Sequence, residues 1–486
     1  MSDPILKVQS LSAQIGDTPV LQEADLIIRP GECVALVGPS GAGKTSLLRM
    51  ALGLDRPARR VAGRRFLLGQ DIDGLRPRAL RMLRAGAVGF TPQNPAAGLD
   101  PLDRLSLVWL HTAQARGGDT GPAARAAALA AVGLPDCGDA FPHQWSRGML
   151  QRFLIALTRL GDPALTVLDE PTSALDPVIA AQVMQQEAAR AAALGTALLI
   201  VTHNAALAEG IATRVVRMEG GRVIGDRVAR PGVARRALRC ASCPDEPEDR
   251  VLDVSGLAVR RGASMALSDI ALHVNEGEAL VVLGESGAGK TTLLRALAGM
   301  VPFTAAQSRI APCALVLQDP MAAICPAHDV VTAVSEPLLA QGMPRRKAFD
   351  QAAEATAEAG LPATLLSRLP HQLSLGQAQR VCIARALVAR PRLVLLDEPL
   401  SALDPDAGAG IAALLGRLRA RHRLALLIVT HDLGFARAIA DRVAVLRAGR
   451  VVEQASADDF FAAPASDYGR ALVNAGRRLG ALEAAA

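Results

Sequence analysis

The chain has 486 residues, 53 Lys and Arg against 47 Asp and Glu for a net charge of +6, and an apolar fraction of 50%. That is enough apolar sequence for more than one buried core, yet there is no uncharged apolar run of about 18 residues to span a membrane. The arginines are dispersed (Arg59, Arg60, Arg64, Arg65, Arg235, Arg236, Arg477, Arg478) and not interleaved with aromatics that could stack on bases. They read as solvated faces, with an anionic phospholipid surface as the second reading, and no nucleic-acid partner is expected.

The N-terminus, Met-Ser-Asp-Pro-Ile-Leu-Lys, has no basic stretch followed by an apolar one, so no signal peptide is expected. An apolar strand over 33–37 leads into Gly38-Pro-Ser40-Gly41-Ala-Gly43-Lys44-Thr45-Ser46 and then a helix, matching G-x-x-x-x-G-K-[ST]. Glycines at this spacing let successive backbone N–H groups converge on phosphate oxygens, helped by the positive end of the following helix. Lys44 would reach the β- and γ-phosphates, and the Thr45 hydroxyl would take a position on Mg²⁺.

Next come Gln93 in Gln-Asn-Pro-Ala-Ala-Gly-Leu-Asp-Pro, a helix over 122–132 and the tract Pro142-His-Gln-Trp-Ser146. A strand over 165–168 ends in Asp169-Glu170-Pro, Ala-Leu-Asp176 follows, and a strand over 197–201 stops just before His203. Residues 231–250, with Pro231, Pro244, Pro247 and a run of acids, read as a linker. Its Cys240 and Cys243 have C-x-x-C spacing but no further ligands nearby, and read as linker cysteines without a metal. Seven cysteines at irregular spacing do not make a disulfide framework and point to a reducing, cytosolic chain.

The same order then repeats. A strand over 279–283 runs into Gly284-Glu-Ser286-Gly287-Ala-Gly289-Lys290-Thr291-Thr292, followed by Gln318, a helix over 345–359 and Pro370-His-Gln-Leu-Ser374. A strand over 393–396 ends in Asp397-Glu398, Asp404 follows, and a strand over 425–429 stops just before His431. Ser146 to Ser374, Asp169 to Asp397 and His203 to His431 are each 228 apart, whereas Lys44 to Lys290 is 246 and Gln93 to Gln318 is 225. About twenty residues are therefore missing from the second copy, between its phosphate loop and its glutamine. Length alone suggests about three domains; the repeat revises this to two, 1–230 and 251–486. Strands alternating with helices imply a mainly parallel sheet flanked by helices, with the functional groups at the carboxyl ends of the strands.

On these motifs the chain resembles two fused ATP-binding domains of the ATP-binding-cassette family, over essentially its whole length. The resemblance implies two P-loop NTPase domains of α/β class. Each would have a small antiparallel β-subdomain, reduced in the second half, and a helical subdomain carrying the signature. It implies that Gln93 and Gln318 sense Mg²⁺ and the transporter, that Asp169 and Asp397 hold Mg²⁺, that Glu170 and Glu398 polarise the attacking water, and that His203 and His431 clamp the γ-phosphate. It also implies that ATP is sandwiched between halves, each phosphate loop facing the other half's signature: Ser146 and Gly148 in the first, Ser374, Gly376 and Gln377 in the second.

The signatures depart from the family's Leu-Ser-Gly-Gly-Gln in having Arg147 and Leu375 for the first glycine. A side chain there either forces different backbone angles or crowds the γ-phosphate, which predicts slowed hydrolysis. The aromatic that usually covers adenine is replaced by Ile15 and Arg261. Gln93 to Pro101, Gln318-Asp-Pro-Met and the terminal Pro464-Ala-Ser-Asp-Tyr468-Gly-Arg470-Ala-Leu472 resemble the peptide, nickel and opine class of bacterial importers, with a slight lean to nickel in Gly148 to Arg152 and Gln379 to Arg385. The partners implied are two integral-membrane permease subunits and an extracytoplasmic solute-binding protein, with the chain peripheral on the cytoplasmic face of the inner membrane. A sugar-importer ATPase is separated by the terminal tract. A ribosome-acting ATPase would need a long charged linker, and a DNA-repair ATPase zinc modules or a long coiled coil.

Overall fold

A computed structural model describes residues 3–482 except 40, 173–174, 203–204, 229–248, 263, 402 and 404. Ser40, His203, Asp404 and most of the expected linker, with Cys240 and Cys243, lie outside the described residues. The chain divides into two compact units, residues 1–234 with 475–486, and residues 235–474.

The first unit contains β1 (Leu6–Ile15), β2 (Thr18–Ile28), β3 (Cys33–Val37), α1 (Lys44–Ala51), β4 (Arg59–Leu67), β5 (Gln70–Asp71), α2 (Pro77–Ala87) and β6 (Val88–Thr91). It continues through α3 (Leu105–Arg116), α4 (Pro122–Ala130), α5 (Arg147–Thr158), β7 (Leu165–Asp169), α6 (Pro177–Leu194), β8 (Ala197–Thr202), α7 (Ala205–Ile211), β9 (Arg214–Glu219) and β10 (Arg222–Val228). Two sheets result, one antiparallel in the order β2-β1-β4-β5 and one of six strands in the order β10-β9-β3-β8-β7-β6. The second is parallel except at β10.

Strands β3, β7 and β8 are buried at every position, which is why they read as unbroken apolar runs. Their alternate residues feed two cores. Val34, Leu36, Leu199 and Val201 pack with α1 and the antiparallel sheet, while Ala35, Val37, Leu198 and Ile200 pack with Trp109, Phe153 and the helices of the other face.

The second unit contains β11 (Arg250–Arg261), β12 (Ser264–Asn275), β13 (Ala279–Gly284), α8 (Lys290–Leu297), β14 (Gln307–Ile310), β15 (Cys313–Val316), α9 (Pro320–Ala323), α10 (Val330–Ala340), α11 (Arg345–Glu358) and α12 (Leu375–Leu387). After these come β16 (Leu393–Asp397), α13 (Pro405–His422), β17 (Ala425–Val429), α14 (Leu433–Ile439), β18 (Arg442–Arg447), β19 (Arg450–Ser456), α15 (Ala457–Ala462) and α16 (Asp467–Arg478), whose residues from 475 onward belong to the first unit. The main sheet has the same order, β15-β16-β17-β13-β18-β19, and the antiparallel sheet shrinks to β12-β11-β14. The roughly twenty residues inferred to be missing correspond to β5 and α2, so β14 passes into β15 through Ala311 and Pro312 alone.

The predicted helix over 122–132 ends at Ala130, and that over 345–359 ends at Glu358 with Ala359 as its cap. Arg65 corrects the reading of its arginine group as a solvated face. It is 4% exposed on β4, donates to Met50 O at 2.8 Å, and pairs with Asp55 and Asp73. Both carboxylates come from turns outside β4, so sequence spacing did not announce the pairing.

Candidate nucleotide sites

In each unit a buried strand delivers the glycine-rich loop and the loop becomes a helix. Gly43 sits at φ +92 and Gly289 at φ +101, a left-handed conformation that glycine adopts without penalty. A Cβ on Gly38 would stand 2.3 Å from Met218 O, so the loop's first position admits no side chain. Lys44 Nζ donates to Gly38 O and Pro39 O at 2.7 and 2.9 Å, and Lys290 Nζ to Gly284 O and Glu285 O at 2.8 and 2.9 Å. Each lysine is thus folded over the loop that its own helix leaves. Thr45, Ser46, Thr291 and Thr292 occupy the first turns of α1 and α8, next to Gly41 and Gly287 of the loops.

The acids arrive from a strand two places away in the sheet. Thr45 Oγ1 lies 3.2 Å from Asp169 Oδ2, and Thr291 Oγ1 lies 3.2 Å from Asp397 Oδ1. Burial pushes the Asp169 carboxyl up to about 6 against the lowering effect of the Thr45 hydroxyl, and burial raises Asp397 in the same way. A buried carboxylate beside a hydroxyl is an oxygen donor set that suits a small hard dication. Among the described residues no group of three or more His, Cys, Asp or Glu could hold a metal ion. Such a cation would complete its shell with phosphate and water, as Mg²⁺ does in phosphate sites.

Glu170 and Glu398 follow directly, and both have φ +49. Their backbone N–H groups donate to Val201 O and Val429 O at 2.8 and 2.9 Å. A non-glycine residue in left-handed backbone costs of order 1 kcal/mol and persists where neighbours enforce it, commonly at functional positions. The same backbone recurs at two acids 228 residues apart, as it does at Asp162 and Arg390, so it reflects the repeated fold as well as the site. His431 Nδ1 stands 2.8 Å from Glu398 Oε2. Burial lowers the histidine's affinity for a proton, but the hydrogen bond and charge of Glu398 outweigh it and hold His431 above its ordinary value.

Gln93 and Gln318 are exposed and lie just beyond β6 and β15, each strand paired in parallel with the one that carries the acid. Thr91 is aligned with Leu168 and Val316 with Leu396, so each glutamine issues at the level of Asp169 or Asp397. The signatures are helix starts. Ser146 Oγ accepts from Met149 N at 3.2 Å and Ser374 Oγ from Gln377 N at 3.3 Å, while Gln377 Oε1 accepts from Ser374 N at 2.9 Å. Gln377 therefore completes a capping box on its own helix. Arg147 and Leu375 are the first helical residues, followed by Gly148 and Gly376 in the same turns, and neither has a positive φ. Both side chains therefore stand on ordinary helical backbone.

Asp176 of the Ala-Leu-Asp motif caps α6, accepting from Val178 N and Ile179 N at 3.1 Å each. Ile15 and Arg261, expected near adenine, are the last residues of β1 and β11, and Ile15 is 40% exposed.

Sequence reasoning missed a tie between the signature helix and the segment after Gln318. Arg385 Nη1 donates to Ala323 O at 2.8 Å and reaches Glu336 Oε2 at 3.5 Å, and Cys382 Sγ lies 3.7 Å from Pro320 O. Glu336 Oε1 is also 2.7 Å from His328 Nδ1. By the repeat spacing, the first-half counterparts of Cys382 and Arg385 are Leu154 and Leu157, both buried apolar residues. Aligning the halves exposes that polar-to-apolar exchange, which was the available signal.

Two phosphate loops, each backed by a hydroxyl–carboxylate pair and an acid in strained backbone, define a tandem ATPase. The chain belongs to the ABC transporter family, whose profile matches residues 21–173 and 267–401. It is 32% identical to the peptidoglycan transport ATP-binding protein YejF of Agrobacterium fabrum, over 99% of this chain and 98% of that protein. It is also 32% identical to the ABC transporter ATP-binding protein YejF of Escherichia coli, over 97% of this chain and 99% of the other. A glutathione import ATP-binding protein of Pectobacterium atrosepticum is 30% identical over 97% of this chain and 89% of its own length. Among the described residues no helix is long and apolar enough to cross a membrane.

Proposed function

We propose that this ATPase energises import of peptide-like solutes, with one cassette over 1–230, a linker over 231–250 and a second cassette over 251–486. The names of the relatives above support that solute class, two of them naming peptidoglycan and glutathione and none naming nickel or an opine. The partners are two membrane-embedded permease subunits and an extracytoplasmic solute-binding protein, and the chain works at the cytoplasmic face of the cell membrane.

Lys44 and Lys290 neutralise the β- and γ-phosphates, with the loop amides from Gly38 to Ser46 and from Gly284 to Thr292 cradling them. Thr45, Asp169 and Gln93 would hold one Mg²⁺, and Thr291, Asp397 and Gln318 the other; the ion supplies neutralisation of phosphate charge. Glu170 and Glu398 orient the attacking water and take its proton, and His203 and His431 hold the γ-phosphate. Ser146, Gly148, Ser374, Gly376 and Gln377 contribute nucleotide contacts from the signature helices. Positioning and charge neutralisation are what phosphoryl transfer requires of a protein.

The observation that carries the ATPase part of this reading is the hydroxyl–carboxylate pair behind each phosphate loop, present in both units, while the solute class is supported by the relatives' names. The test is reconstitution with the permeases and the binding protein. Peptide uptake should require ATP and stop when Lys44→Ala and Lys290→Ala are combined. Uptake that persists in the double variant overturns it.

A further inference from the structure

The first unit carries a basic surface that the second has lost. Helix α2 reads Pro-Arg-Ala-Leu-Arg-Met-Leu-Arg-Ala-Gly-Ala and contains no acid. Its inner face is settled: Leu80 and Leu83 pack on the core, and Arg84 Nη1 donates to Leu52 O and Gly53 O at 3.1 and 2.9 Å. Those carbonyls close the far end of the helix that begins at Lys44. The outer face presents Arg78 and Arg81 with Met82, which is 69% exposed, and Arg76 precedes the helix, also exposed.

The acids nearest in sequence are already engaged. Asp55 and Asp73 pair with Arg65, Asp73 also with Arg60, and Asp71 with Arg64. Among the described residues no ion pair engages Arg76, Arg78 or Arg81. Burial, and after it the charge of Arg81, hold Arg84 below its ordinary value, so the cations here crowd one another.

We propose that the outer face of α2 binds anionic phospholipid headgroups. Clustered guanidiniums pair with phosphate in bidentate fashion, and a long apolar side chain set among them can enter the headgroup layer while the arginines stay in it. Charge complementarity and the exposed Met82 favour a lipid surface over an acidic protein, whose contact would leave Met82 without an apolar neighbour. The proposal draws on the membrane role above, but its test does not: vesicle binding can fail while permease-coupled ATPase persists, and the reverse.

The experiment is sedimentation of the full chain with phosphatidylcholine vesicles, with and without phosphatidylglycerol. Wild type should bind the anionic vesicles far better. Each arginine near an anionic surface is worth about fivefold in affinity, so Arg78→Gln with Arg81→Gln should lose about 25-fold. Arg78→Lys with Arg81→Lys should bind between wild type and the glutamine pair, since lysine keeps the charge but not the bidentate pairing, and Met82→Ser should weaken binding without changing ATPase activity. Thermal melting checks that the variants remain folded. Equal wild-type binding to both vesicle types, or undiminished binding by the glutamine pair, overturns the proposal. So does a glutamine pair that loses only its association with the permeases, which would assign the surface to an acidic protein.

Discussion

His431 Nδ1 stands 2.8 Å from Glu398 Oε2, across the ends of neighbouring parallel strands, and the His431 N–H and Thr430 hydroxyl lie 3.4 Å from the same oxygen. The acid proposed to activate water is therefore held by the side chain proposed to hold the γ-phosphate. Glu398→Gln should keep nucleotide binding and lower the hydrolysis rate attributable to this unit by about 10²–10⁴-fold. Steady-state ATPase assays in a Glu170→Gln background, with ATP binding measured in parallel, check it; an unchanged rate would remove Glu398 from the chemistry.

Strain at the same residue predicts a trade. Glu398→Gly relieves a φ of +49 and should raise stability by about 1 kcal/mol, while hydrolysis at that site is lost. Urea denaturation alongside the ATPase assay measures both, and a destabilised glycine variant would mean that the carboxylate's hydrogen bonds outweigh the strain.

Arg385 ties the signature helix to the segment after Gln318, and the first half has Leu157 instead. Arg385→Leu should reduce permease-stimulated ATPase several-fold and leave ATP affinity and basal rate nearly unchanged, with partial rescue by Arg385→Lys. Equal falls in basal and stimulated rates would mark a purely structural role.

Buried Arg65 joins a half-exposed Asp55 to a more enclosed Asp73. Arg65→Ala takes the partner from half-exposed Asp55, leaves Asp73 with Arg60 alone, and should cost about 1–3 kcal/mol. Arg65→Met with Asp55→Asn and Asp73→Asn should recover part of that loss, as read by denaturation midpoints.

Burial pushes the Cys33 and Cys382 thiols up to about 11. A raised acid binds more protons folded than unfolded, so this contribution is intact below about pH 9 and is lost as pH rises through about 11. Wild type should lose stability over that window, by an amount of order 1–3 kcal/mol per thiol, and Cys382→Ala should flatten the profile. Alkylation at pH 8 should reach exposed Cys325 and spare these two. Rapid labelling of Cys382 in the folded protein would contradict it.

Much of the fold was legible because the repeat supplied its own internal control. The parallel strands appear as apolar runs, and the difference between two repeat offsets located the lost β5 and α2. The phosphate loops, acid pairs and glutamines were legible because local backbone geometry demands particular residues at fixed spacing. The Arg65 cluster, the capping box that occupies Gln377, and the Arg385 tie were not, since each joins residues whose proximity is created only by packing.

By itself, then, the sequence determined two phosphate-binding units in one order, because glycine, lysine and acid positions in such loops answer to short-range sterics and charge. Only the tertiary structure decided that Glu170 and Glu398 share left-handed backbone, that Arg147 and Leu375 sit in ordinary helical backbone, and that α2 turns arginines outward. Those outcomes depend on which distant strand, carbonyl or core residue comes alongside, and no local pattern encodes that.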